Sequence, residues 1–139
     1  MNKIMGLDLG SRTIGIAMSD ILGMIAHGVE TYRFKPDDYE DALNHVLELA
    51  KKENVQVIVL GLPKHMNGDI GERAQLSIDF RKKIISRNPN LKVELVDERL
   101  TTKVAEQSLI FADVSRKKRK KVIDKMAAVT ILQGYLDSH

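Results

Sequence analysis

The sequence predicts an α/β protein: a mixed five-stranded sheet, with three antiparallel strands followed by alternating helices and parallel strands, flanked by helices. Two observations carry this. Up to Phe34 the chain holds short apolar segments broken by turn residues, the pattern of a β-meander. Beyond it, amphipathic helical patterns alternate with the runs "VQVIVLG" and "LKVELVD". These are apolar, rich in β-branched residues and of strand length, as expected of parallel strands buried between helices.

Each element can be justified in turn. "KIMGLDL" reads as a strand and "TIGIAMSD" as a second, joined by the glycine-bearing turn "GSR". "GVETYRF" reads as a third. Lys35-Pro36-Asp37 marks a helix start, with proline near the first helical position and acids in the first turn. Tyr39, Ala42, Leu43, Val46, Leu49 and Ala50 recur at helical spacing, so that helix extends to about Glu53. "LPKHMNGDIG" is a loop rich in turn residues. A second helix is expected from Glu72 to Arg87, stopped by Asn88-Pro89-Asn90. After "LKVELVD", Thr101 or Thr102 starts a short helix through about Phe111, and Ser115 caps a long final helix to about Leu136.

The chain has 139 residues, of which 43% are hydrophobic, enough for one domain with a real core. It has no cysteine, which excludes a disulfide scaffold and a thiolate zinc site and fits a reducing compartment. The start lacks the long apolar stretch of a signal peptide, and no apolar run reaches membrane-span length, so a soluble, cytoplasmic protein is expected. Net charge is only +3, but its distribution is uneven. Arg116, Lys117, Lys118, Arg119, Lys120 and Lys121 form an unbroken basic run, either a solvated helix face or a footprint for nucleic acid.

Three places break the core pattern. Asp8 lies inside the first strand, on the same face as Ile4 and Gly6 by alternation. A mid-strand aspartate has no local backbone to cap, and a charge there is costly unless paired or bound to a metal. Asp97 and Glu98 end the last strand, where a capping role for Asp97 is the simpler alternative. Asp124 precedes Ala127, Ala128 and Ile131 at helical spacing, so it lies along the buried stripe of the final helix; pairing with Lys120 or Lys121 is the alternative. If these acids converge they repel one another and their pKa values rise. A hard divalent cation with oxygen ligands relieves this. Two ions about 4 Å apart can clamp an in-line phosphodiester displacement, and the basic run beside Asp124 would then hold the phosphate backbone.

"GLDLGSRTIGIAMSD", "VIVLGLPKHMNGDIGERA", "VDERLTT" and "KKVIDKMAAVTILQGYL" resemble the YqgF family, which is similar to the RuvC Holliday-junction resolvases. The likeness runs nearly end to end. It implies an RNase H-like fold in a single nuclease domain, dependence on Mg²⁺ or Mn²⁺, and a role in maturing the 5′ end of pre-16S rRNA. It also implies a catalytic, metal-binding set of Asp8, Glu98 and Asp124. Asp97 and Glu98 alternate to opposite faces, so one of them faces the metal; Glu98, with its longer arm, is preferred and Asp97 is held in reserve. Arg12, Lys64 and Arg99 are candidates to contact phosphate alongside Arg116, Lys117, Lys118, Lys120 and Lys121, although Arg99 can equally bridge to Asp97. Gly10 and Gly15 permit close approach near Asp8. The histidines His27, His45 and His65 lack ligand spacing, with His45 read as a surface residue. Aromatic residues are only 4% of the chain, which argues against base stacking as the main grip.

The partner expected is structured RNA, with a ribosomal precursor particle or a DNA junction as further options, bound by a monomer or homodimer. Two other function classes compete. The first is a non-catalytic nucleic-acid-binding module, which would gain nothing from buried acids. The second is a small ATP-binding domain, because "GLDLGSRTIGIA" also resembles the phosphate loop of the actin, Hsp70 and sugar-kinase superfamily. That fold needs a second domain and a second phosphate loop, and one chain of 139 residues has neither unless it dimerises.

Overall fold

A computed structural model describes residues 3–63, 71–97 and 116–138, with side chains in the last segment described from residue 126 onward. The described elements are β1 (Ile4–Leu9), β2 (Thr13–Ser19), β3 (Ala26–Arg33), α1 (Tyr39–Lys52), β4 (Val57–Leu62), α2 (Glu72–Arg87), β5 (Lys92–Asp97) and α3 (Arg116–Ser138). The sheet order is β3-β2-β1-β4-β5, which puts β1 at the centre. β1 to β3 are antiparallel neighbours, while β1, β4 and β5 run parallel. The helix expected to begin at Thr101 or Thr102, and the Ser115 cap, lie outside the described residues.

Alternation divides the sheet into two unlike faces. One carries Met5, Leu7, Ile14, Ile16, Met18, Ile58, Leu60 and Val93, and packs on Ala42, Leu43 and Val46 of α1 and on Phe80 and Ile84 of α2. The other face is made of smaller residues, including Ala17, Ala26 and Val59, and is covered by Ala128, Ile131 and Leu132 of α3. Small residues let α3 sit close. An added Cβ at Gly6 would lie 2.7 Å from Leu132 Cβ and 3.0 Å from the Ala128 carbonyl oxygen, so only glycine fits there.

Two boundaries differ clearly from expectation: β3 starts at Ala26 rather than Gly28, and the start of α1 moves. α1 begins at Tyr39 rather than at Lys35-Pro36-Asp37. Asp37 adopts a left-handed conformation (φ 64°), so the chain turns there and Asp38 becomes the cap, accepting from the Asp41 N–H. Pro36 therefore belongs to the lead-in, not to the helix. Among the described residues, no helix is long and apolar enough to cross a membrane.

Candidate active site

β1 holds Asp8 half-buried on the α3 face, in line with Ile4 and Gly6. Its neighbours across the sheet are glycines. Gly15 of β2 is its register partner, and Thr31 of β3 in turn pairs with Gly15. On the other side Leu7 pairs with Leu60, and Leu60 with Leu95. The next residues on those strands are Asp8, Gly61 and Val96, and Gly61 pairs with Val96. The row through Asp8 thus reads Thr31, Gly15, Asp8, Gly61, Val96. Glycine inside a strand forfeits packing and often marks a place where another backbone or a ligand comes close. Asp8 stands in a trough with a glycine floor on each side. Gly61 was not singled out in the sequence, although a glycine within the buried run "VQVIVLG" is the signal that could have found it.

α3 runs back toward this trough. Gln133 accepts from the Ala26 N–H at 2.9 Å and donates to the Met24 carbonyl at 3.0 Å, which fixes this part of the helix at the start of β3. Ala26 is paired with Ser19, whose hydroxyl accepts from the Ile4 N–H at 2.8 Å. One row on, Ala128 and Leu132 flank Gly6. Going toward the helix N-terminus therefore means going toward Asp8. The helix backbone carries position 124 one turn, about 5.4 Å, beyond Ala128. The side chain of Asp124 lies outside the described residues.

On β5 the parity is informative. Asp97 pairs with Leu62 and shares its side of the strand with Val93 and Leu95, which pack with α1 and α2. Asp97 is exposed, and alternation sets it across the sheet from Asp8. Val96 lies on the α3 face. Glu98 itself is outside the described residues, as are Lys64, His65, Arg99 and the side chains of Arg116, Lys117, Lys118, Lys120 and Lys121. Arg12 is described: it is exposed in the β1–β2 turn, and its carbonyl accepts from the Phe34 N–H at 2.9 Å. His45 stacks on Tyr32 (ring centroids 3.8 Å apart) and pairs with Glu30, so it belongs to the surface contact between α1 and β3. Among the described residues, no three acids or histidines gather as a metal site, because two of the three expected ligands are not described there.

Comparisons with known proteins show the family and the fold. The family model for "RuvX: Holliday junction resolvase" matches residues 2–138. The chain belongs to the RuvX family. A Staphylococcus aureus protein named "Putative pre-16S rRNA nuclease" is 52% identical to this RuvX-family chain over 137 residues, covering 99% of the chain and 96% of that protein. T. thermophilus RuvC, solved with a Holliday junction substrate, aligns with a TM-score of 0.62 at 12% identity, over 99% of this chain and 95% of RuvC. The fold is accordingly RNase H-like. A candidate sugar kinase from Cytophaga hutchinsonii aligns with a TM-score of 0.51 at 13% identity, over 76% of this chain but only 39% of its own. That likeness is one of fold alone.

Proposed function

We propose that this RuvX-family chain is a divalent-metal-dependent nuclease that hydrolyses phosphodiester bonds, acting in the cytoplasm on the 5′ end of pre-16S rRNA. The observation that carries this reading is Asp8: a carboxylate at the centre of the sheet, between Gly15 and Gly61, on the face along which α3 returns. A protein that only bound nucleic acid would have no use for a carboxylate there, since it repels phosphate. The rRNA assignment is supported by the name of the 52% identical relative.

The donor set fits a hard cation. Asp8, Glu98 and Asp124 are all oxygen donors, and the described backbone supports bringing two of them together, since position 124 follows Ala128 toward Asp8. Asp97 lies on the other side of the sheet from Asp8, which leaves Glu98 as the preferred ligand of the two. Bound Mg²⁺ or Mn²⁺ would supply Lewis-acid stabilisation of the phosphate and a water acidic enough to attack it. The chain's part is to hold the ligands on rigid elements and neutralise flanking phosphates with Arg12 and the basic run from Arg116 to Lys121.

A cleavage assay in Mn²⁺ that compares pre-16S rRNA, single-stranded DNA and four-way DNA junctions tests this reading. The expected result is cutting of the precursor RNA near the mature 5′ end. Exclusive cutting of junctions would move the chain to DNA, and no cutting of any substrate would leave only a binding role.

A further inference from the structure

The row through Asp8 continues past Gly15 to Thr31, and two pairs further along the same two strands, next on the same face, Thr13 meets Arg33. Thr31 and Arg33 are two residues apart on β3, so they share the α3 face with Gly15 and Asp8. Both are exposed, so α3 does not cover them. Arg12 is also exposed and lies beside them, because the β1–β2 turn is tied to the end of β3 by the Phe34 N–H to Arg12 carbonyl bond and the Asp37 N–H to Ser11 carbonyl bond, 3.1 Å. Neither arginine has an ion-pair partner among the described residues, whereas Lys3, Arg87 and Lys92 each hold an acid. Of the acids near Arg33 in sequence, Glu30 pairs with His45, Asp37 accepts from the Tyr39 hydroxyl at 3.4 Å, and Asp38 caps α1.

We propose that Thr31 and Arg33 of β3, with Arg12, form a phosphate-binding shelf that holds the nucleic-acid strand on the β3 side of the cleavage site. The inference rests on the nuclease reading and adds to it a direction: the strand runs from Asp8 toward β3. Two strand spacings of about 4.8 Å separate β1 from β3. Thr31 therefore lies about 10 Å from Asp8 across the sheet, and Arg33 two residues further along β3, so the shelf would meet a phosphate within the first few nucleotides of the cleavage site. A guanidinium and a hydroxyl suit a phosphate: the arginine gives a charge-assisted fork and the threonine one further donor. Neither reads a base, so the shelf places the strand without selecting its sequence.

Binding of a labelled single-stranded RNA, and of DNA of the same sequence, is measured against salt in the Asp8→Asn background, where no cutting occurs. On whichever strand the parent binds, Arg33→Gln should lower affinity several-fold and reduce the slope of log K against log salt by about one. Arg33→Lys should restore the slope, because it keeps the charge, and this guards against a mere folding defect in the glutamine variant. Lys82→Gln, exposed on α2 across the sheet, should leave both unchanged. A parent that binds with an unaltered slope in Arg33→Gln would overturn the shelf and leave the nuclease reading standing. A parent that binds neither strand would overturn both.

Discussion

Tyr135 donates a hydrogen bond to Glu94 on β5; burial, together with that carboxylate, pushes its pKa up to about 12 from an ordinary value of 10. This bond ties the C-terminal part of α3 across the far edge of the sheet, while Gln133 ties it to β3. A raised pKa favours the protonated phenol in the folded state. Its contribution to stability is therefore complete below about pH 10 and is lost as pH rises through about 12. Tyr135→Phe should lower stability by about 1 kcal/mol at pH 7. It should also flatten the alkaline decline, as read from urea melts between pH 8 and 11. Residues differ in how visible they are in the sequence alone. Asp8 is conspicuous because nothing local explains a charge inside an apolar strand. Thr31, Arg33 and Gly61 are not, because their meaning depends on cross-strand register, which brings residues far apart in the chain into one row. The choice between Asp97 and Glu98 is half legible: alternation separates them, but only the pairing of β5 with β4 shows that Asp97 shares the side of Val93 and Leu95.

Among the elements, α3 matters most to the site, and its seat depends on Gly6. A methyl group there meets Leu132 Cβ and the Ala128 backbone inside contact distance, and backbone cannot swing aside. Gly6→Ala should lift the helix and cost about 1–3 kcal/mol, the usual range for overpacking. Because position 124 rides on the same helix, cleavage should fall in the variant even where it remains fully folded, a split that melting and activity measured on one preparation would reveal. If activity follows the folded fraction alone, α3 has only a structural task. The apolar periodicity of α1 and α2 is strong enough to place both helices, with α2 matching at both ends. The start of α1 is misplaced in sequence because Lys-Pro-Asp looks like a helix entry, and nothing local shows that Asp37 takes a left-handed turn.

On the scale of the whole molecule, β1 is central because later strands add to its free edge, and this is why its one charged residue lands in mid-sheet. The helices on one face build the larger core, leaving the other face to α3 and the trough. A metal that binds the folded chain alone must stabilise it. At ten times its Kd, Mn²⁺ should add about 1.4 kcal/mol, raising Tm by a few degrees. ATP with Mg²⁺ should add nothing beyond Mg²⁺ alone, whereas a clear extra shift would revive the phosphate-loop reading. The central claim is that Asp8 acts in phosphodiester cleavage, and the cleavage rate of Asp8→Asn in Mn²⁺ tests it most directly. That rate is measured beside wild type, on the RNA that wild type cuts, with equal thermal melts showing both folded. The account predicts loss of cutting to the level seen without protein. An Asp8→Asn protein, free of contaminating nuclease, that cuts as fast as wild type would contradict it.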